Sequence, residues 1–230
     1  MKKHTILFVA ANPSGTDRLA LDREARAIHV ELERSGARDW FELETRWAAE
    51  PLDLLRELRK LRPTMVHFSG HGGGSAVGTH RTAPSRDVLS ASGLSVSQAG
   101  GRQEHGLYFQ GPDGRSQLVS TEALEATFGA AGASVRLVLL SACYSEVQAD
   151  ALLAHVDCVV GMSGAIRDDA ARSFAIGFYG GLGERESVEA AYRQGRAAIS
   201  LEGLPDGERP LLKVRPGVDA GKLVIAGDPR

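Results

Sequence analysis

Val66-His67-Phe68-Ser69-Gly70-His71-Gly72-Gly73-Gly74 and Leu137-Val138-Leu139-Leu140-Ser141-Ala142-Cys143-Tyr144-Ser145 are the two stretches on which the fold of this chain turns. Each opens as a short apolar run of strand length and closes on polar or glycine-rich sequence. A reactive side chain, His71 or Cys143, stands just past each run. In parallel α/β sheets the groups that meet ligands lie beyond the carboxyl ends of the strands. If the two strands are neighbours, His71 and Cys143 emerge on one rim.

Working outward, the chain alternates between strand and helix patterns. Residues 6–11 read as an apolar strand, and Leu19, Leu21, Ala25, Ile28, Val30 and Leu32 give helical spacing up to a stop at Gly36. Residues 41–47 alternate as a strand does. Pro51 stands at a favoured helix start, and leucines at 52, 54, 55, 58 and 61 follow before Pro63. Residues 64–69 form the next strand. Residues 73–106 are rich in Ser, Gly, Ala and Arg without apolar periodicity, which predicts a flexible insertion. Two short apolar runs at 107–109 and 117–119 flank Gly111-Pro112-Asp113-Gly114, the pattern of a hairpin. A helix over 121–129 leads into the Cys143 strand. Beyond it come a helix through Ala149, Leu152 and Leu153, a strand over 156–162, and helices over 168–183 and 187–199. Lys222-Leu223-Val224-Ile225 reads as a last edge strand. The repeated strand-helix-strand units predict an α/β fold with a mostly parallel sheet covered by helices on both faces, in one domain over residues 1–230.

Composition narrows the function. Of 230 residues, 43% are hydrophobic and 24% charged, and 27 basic residues against 29 acidic leave a net charge of -2. That balance gives no electrostatic argument for nucleic acid or an anionic membrane as partner. The two cysteines, Cys143 and Cys158, form no CxxC pair, which argues against a disulfide framework and a zinc ribbon. The amino-terminal apolar run is cut short at Asn12-Pro13, too early for a signal peptide, and no run approaches membrane-spanning length. The expectation is a cytoplasmic protein with reduced thiols. Gly161-Met162-Ser163-Gly164 has the wrong spacing for a serine elbow, and no phosphate-binding or dinucleotide-binding glycine motif is present.

Against that background, His71 and Cys143 have the layout of a cysteine-histidine hydrolase. A free thiol near pKa 8.5 is only a few per cent thiolate at neutral pH. Bringing it to neutrality takes about 2 kcal/mol of differential stabilisation, which one well-placed imidazole supplies. His71 is the candidate base, and it would also protonate the leaving amine. The amides of Gly72 and Cys143 are the candidate oxyanion donors, since bare backbone at Gly72-Gly73-Gly74 approaches a substrate carbonyl closely. The same glycines also read simply as a turn needing positive φ. Cys158, inside Val156-Asp157-Cys158-Val159-Val160, reads as a buried small hydrophobe. His67 and His71 lie four apart, but on strand and turn rather than one helix face, so no metal is expected. The remaining histidines carry no motif and read as surface or packing residues.

These residues resemble the caspase-like cysteine peptidases, and within them the bacterial CHAT domains. The likeness rests on strands ending in Ser69-Gly70-His71-Gly72 and Ser141-Ala142-Cys143, and on the spacing between His71 and Cys143. It extends to Ala11-Asn12-Pro13 and to Asp168-Asp169-Ala170-Ala171 with Phe174, Phe178 and Tyr179. The resemblance implies a caspase-like three-layer sandwich, a His71–Cys143 dyad, an oxyanion hole at Gly72 and Cys143, and cleavage of a protein substrate without a cofactor. It also implies a role in bacterial defence, with an upstream activating protease or sensor protein as a further partner, because the chain shows no sensor repeat of its own.

Specificity and regulation leave several readings open. In related enzymes the residue two before the nucleophile helps line the pocket for the substrate side chain preceding the cut, and here it is Ser141. Asp17 and Asp168 are the candidate carboxylates for a basic side chain, which favours cleavage after arginine through charge-assisted contact. Each also reads as a helix-terminal residue. Arg81, Arg86 and Arg102 in the insertion are candidate processing sites, and a plain spacer is the competing reading. A non-catalytic α/β binding or adaptor module and a thiol hydrolase of small substrates stand as the alternatives to an endopeptidase.

Overall fold

The computed structural model describes residues 3–74 and 105–227. Its first half runs β1 (His4–Ala10), α1 (Leu21–Arg34), β2 (Phe41–Arg46), α2 (Pro51–Leu61), β3 (Met65–Ser69), β4 (His71–Gly74), β5 (His105–Gln110) and β6 (Ser116–Ser120). The second half runs α3 (Thr121–Ala131), β7 (Leu137–Ser141), α4 (Glu146–Leu152), β8 (Cys158–Met162), α5 (Asp168–Gly183), α6 (Val188–Leu201) and β9 (Pro210–Val214).

A six-stranded sheet in the order β2-β1-β3-β7-β8-β9 forms the middle layer. All its pairs are parallel except β8 with β9. β3 and β7 lie at its centre, and every residue in both is buried. That is why they are continuous apolar runs rather than alternating ones. One face packs Ile6, Phe8, Leu137 and Leu139 against α1 and α5 through Ile28, Leu32, Phe174 and Phe178. The other packs Leu7, Val9, Val66, Phe68 and Val138 under Leu58, Leu124, Phe128 and Leu152 from α2, α3 and α4. The α/β sandwich with helices on both faces is the predicted architecture.

Local chemistry explains the helix ends. Glu50 and Asp53 form a reciprocal capping box in front of Pro51, and Ser120 and Ser187 cap α3 and α6 by accepting from Ala123 N and Ala190 N.

Three expectations are corrected. Gly73, Gly74, His105 and Gly106, at the two ends of the insertion predicted over 73–106, are strand residues that pair antiparallel, Gly73 with Gly106 and Gly74 with His105. With the predicted hairpin, now β5 and β6, they make a separate three-stranded sheet β4-β5-β6. The rest of the insertion, and with it Arg81, Arg86 and Arg102, lies outside the described residues. The last sheet strand is β9, not residues 222–225. The latter bury Leu223 and Ile225 against the core, and Val224 makes an isolated bridge to Ser187, the residue before α6. Asp17 does not cap the next helix, which starts four residues later at Leu21.

Candidate active site

The site grows from the ends of β3 and β7. These strands pair in parallel with Ser69 opposite Ser141, and Gly70 N donates to Ser141 O at 3.2 Å. His71 and Cys143 each stand two residues past that last pair, at the carboxyl end of the sheet. The chain then leaves β3 for β4, and it does so in a space too tight for a side chain. A Cβ on Gly70 would come within 2.7 Å of Ala11 O, and one on Gly72 within 2.5 Å of Cys143 O. The glycines therefore satisfy a close approach of main chains, with Gly72 laid directly on the backbone of Cys143.

The imidazole of His71 is oriented from outside the sheet. Its Nε2 lies 2.7 Å from Asp17 O. A carbonyl oxygen only accepts, so Nε2 is the donor, and in the neutral ring this tautomer leaves the Nδ1 lone pair for a second partner. Asp17 thus meets the site through its main chain, while the residue itself is exposed. Its segment is tied down further on, where Ala20 N donates to Asp168 Oδ2 at 3.2 Å.

Cys143 sits at a sharp turn between β7 and α4. Tyr144 takes φ 55, in the left-handed region that non-glycine residues rarely occupy, and its N–H donates to Gly164 O at 3.1 Å. Ser145 fastens the turn: its hydroxyl donates to Leu140 O at 3.2 Å and accepts from Met162 N at 3.0 Å. The sulfur is half-buried and meets the loop before α5, with Ile166 N donating to Sγ at 3.5 Å and Ile166 O 3.7 Å away. Asp168 lies two residues beyond that contact, at the first position of α5.

Ser141 faces inward. Its hydroxyl donates to Glu24 Oε1 at 2.9 Å, and Ser69 Oγ donates a short hydrogen bond to Glu24 Oε2. His67 Nε2 is 3.3 Å from the same carboxylate, and its Nδ1 is 3.1 Å from Tyr179 Oη. Glu24 is only 3% exposed. Burial works against its charge, but His67 and the two serine hydroxyls outweigh it and hold the carboxyl below its ordinary range. Burial, and then Glu24, push the Tyr179 hydroxyl well above its usual value.

The carboxylate touching Ser141 is therefore Glu24, neither Asp17 nor Asp168. Sequence reasoning missed Glu24, Ile166 and the carbonyl role of Asp17. One signal was present: Glu24 falls in the apolar stripe of α1, three after Leu21 and four before Ile28. Cys158 is fully buried at the start of β8, where burial and then Asp157 push its thiol up to about 12. Among the described residues, no group of three or more His, Cys, Asp or Glu could hold a metal ion. No helix among them is long and apolar enough to cross a membrane.

Residues 2–205 match the CHAT domain. The chain belongs to the CHAT family. A relative of this CHAT domain is the Roc-COR-CHAT protease of an unknown prokaryotic organism, 24% identical over 207 residues. The match takes in 87% of this chain and 17% of that protein, so the chain spans about a sixth of the relative's length. Among solved structures the CHAT chain is similar to a secreted C11 cysteine protease from Bacteroides thetaiotaomicron, solved by X-ray in complex with an irreversible peptide inhibitor. That likeness has a TM-score of 0.56 at 13% identity and covers 87% of this chain and 59% of the other, which places both in one fold.

Proposed function

We propose that this CHAT domain is a cysteine endopeptidase that cuts a partner protein through a His71–Cys143 dyad. The observation that carries the reading is the register of β3 and β7, with His71 and Cys143 each two residues past the Ser69–Ser141 pair and Gly72 laid on the Cys143 carbonyl. The relative named a protease and the solved cysteine protease of the same fold support it.

In the proposed reaction, Nδ1 of His71 takes the Sγ proton, with Nε2 held by Asp17 O throughout. The thiolate attacks the scissile carbonyl carbon. The amides of Gly72 and Cys143 meet the developing oxyanion, and the imidazolium returns its proton to the leaving amine. Water then hydrolyses the thioester by the same base. Ser141 is buried on Glu24, so the pocket proposed for the side chain preceding the cut is on the Asp168 side of Cys143. Arginine is the preferred residue there, because Asp168 stands at the first turn of α5 beside the Ile166 contact with sulfur. A bacterial defence cascade in the cytoplasm is the setting this activity suits.

The test is cleavage of a fluorogenic peptide library by the wild type beside Cys143→Ala and His71→Ala. Loss in both variants with arginine before the cut is the expected outcome. Cleavage surviving either substitution would overturn the dyad, and acidic residues before the cut would overturn the arginine preference. Silence of the wild type would favour the binding-module reading.

A further inference from the structure

Glu24 is the most deeply buried carboxylate among the described residues, 3% exposed against 9% for Asp157 and Asp206, the proposed reaction does not use it, and its cost needs a reason. Helix α1 turns Leu21, Ala25, Ile28 and Leu32 onto the core, and an apolar residue at position 24 would continue that stripe without desolvating a charge. Instead the carboxylate forks across two strands. Oε2 takes Ser69 of β3 and Oε1 takes Ser141 of β7, the last register pair before the chain turns away to His71 and Cys143. Behind it His67, fully buried, connects the fork to Tyr179 of α5. The segment leading into α1 holds two further points of the same rim, through Asp17 O to His71 and Ala20 N to Asp168.

We propose that Glu24 is a positioning residue that clamps the ends of β3 and β7 together through Ser69 and Ser141 and so fixes the approach of His71 to Cys143. The clamp rests on the dyad reading. It acts through both strands at once, because a carboxylate has two oxygens and each serine occupies one. Loss of either hydroxyl leaves one strand end free to shift, and small misplacements of reacting groups are expensive in rate.

The test uses the full chain and needs no substrate. It follows alkylation of Cys143 by iodoacetamide at pH 7 by mass spectrometry, with buried Cys158 as the silent thiol. Ser69→Ala and Ser141→Ala each cut one tie, and Glu24→Gln keeps the shape but removes the charge. The serine variants are expected to react roughly fivefold more slowly and Glu24→Gln about tenfold. On any cleaved peptide, kcat falls by the same factors with KM unchanged.

Leu124→Ala, a core truncation on the opposite face of the sheet, is the control for lost stability. It is expected to lower Tm and leave alkylation at the wild-type rate. If it slows alkylation as much as a serine variant of equal Tm, the clamp is overturned. His71→Ala separates the two readings. Slow alkylation there with wild-type rates in the serine and glutamine variants overturns the clamp and leaves the dyad standing. A wild-type rate in His71→Ala overturns the dyad, and the clamp with it. Where Glu24→Gln fails to fold, the two serine variants decide.

Discussion

The two cysteines stand at opposite ends of adjacent parallel strands, Cys158 within β8 and Cys143 just past β7, and the difference shows how position relative to a strand sets chemistry. Cys158 opens β8, pairs with Leu137 and is fully buried, and its thiol is pushed up to about 12 by burial and by Asp157. Cys143 follows β7, half-buried at a turn, with the Ile166 amide on its sulfur and Gly72 on its carbonyl. One thiol is packing material. The other stands at the carboxyl rim, where the chain turns polar and main-chain donors are free to point at it.

The largest expected effect breaks that contrast in activity. Cys143→Ala should lower peptide cleavage by at least roughly 10³-fold, the scale of losing a nucleophile, while Cys158→Ala stays within about twofold. Stability should reverse the order. Cys158→Ala is expected to cost about 1–2 kcal/mol in denaturant unfolding, as a core truncation does, and Cys143→Ala less than about 0.5 kcal/mol, as at a site away from the core. Next comes Gly72→Ala. Its Cβ would meet the Cys143 carbonyl at 2.5 Å, and the backbone shift should cost about 1–3 kcal/mol and cleavage about 10²-fold. Wild-type cleavage in a folded Gly72→Ala chain would show that the two main chains are not held so tightly.

Two smaller effects appear in the pH dependence of Tm. The Cys158 thiol is raised from an ordinary 9.0 to about 12. The unfolded chain therefore loses this proton first, and its stabilisation is present below pH 9 and drains away between 9 and 12. Cys158→Ala should flatten that alkaline limb. Glu24 works in the opposite sense. Its carboxyl is held below the ordinary 4.5, so its contribution is full above that pH and is lost as pH falls through the folded value. Glu24→Gln should flatten the acid limb of the Tm profile, and an unchanged limb would mean the carboxylate gains nothing from its partners.

Much of this was legible in the sequence because parallel strands buried on both faces write themselves as apolar runs. β1, β3, β7 and β8 read that way, and α5 was predicted to its observed limits of 168 and 183. β9 was not seen, because Pro210 reads as punctuation and a proline is tolerated at the first residue of an edge strand. At the site, His71 and Cys143 are side chains whose position after a strand is visible in one dimension. The parts that were missed are either main-chain groups, such as Asp17 O and Ile166 N, or a contact between residues 24, 69 and 141 that only tertiary packing creates. A lone glutamate in an apolar stripe marks such a contact but does not name its partners.

The central place of β3 has a consequence for how the chain is made. Ser69 leaves the ribosome 68 residues ahead of Leu137, the first residue of the strand that will cover its open edge. At about 5–20 residues per second the gap lasts roughly 3–14 s. Through that interval the nascent sheet β2-β1-β3 presents a bare, largely apolar edge strand, the kind of template on which chains pair wrongly. Cys143 follows that covering strand by two residues, so through the interval before β7 is made the nascent chain carries the histidine of the rim without its cysteine.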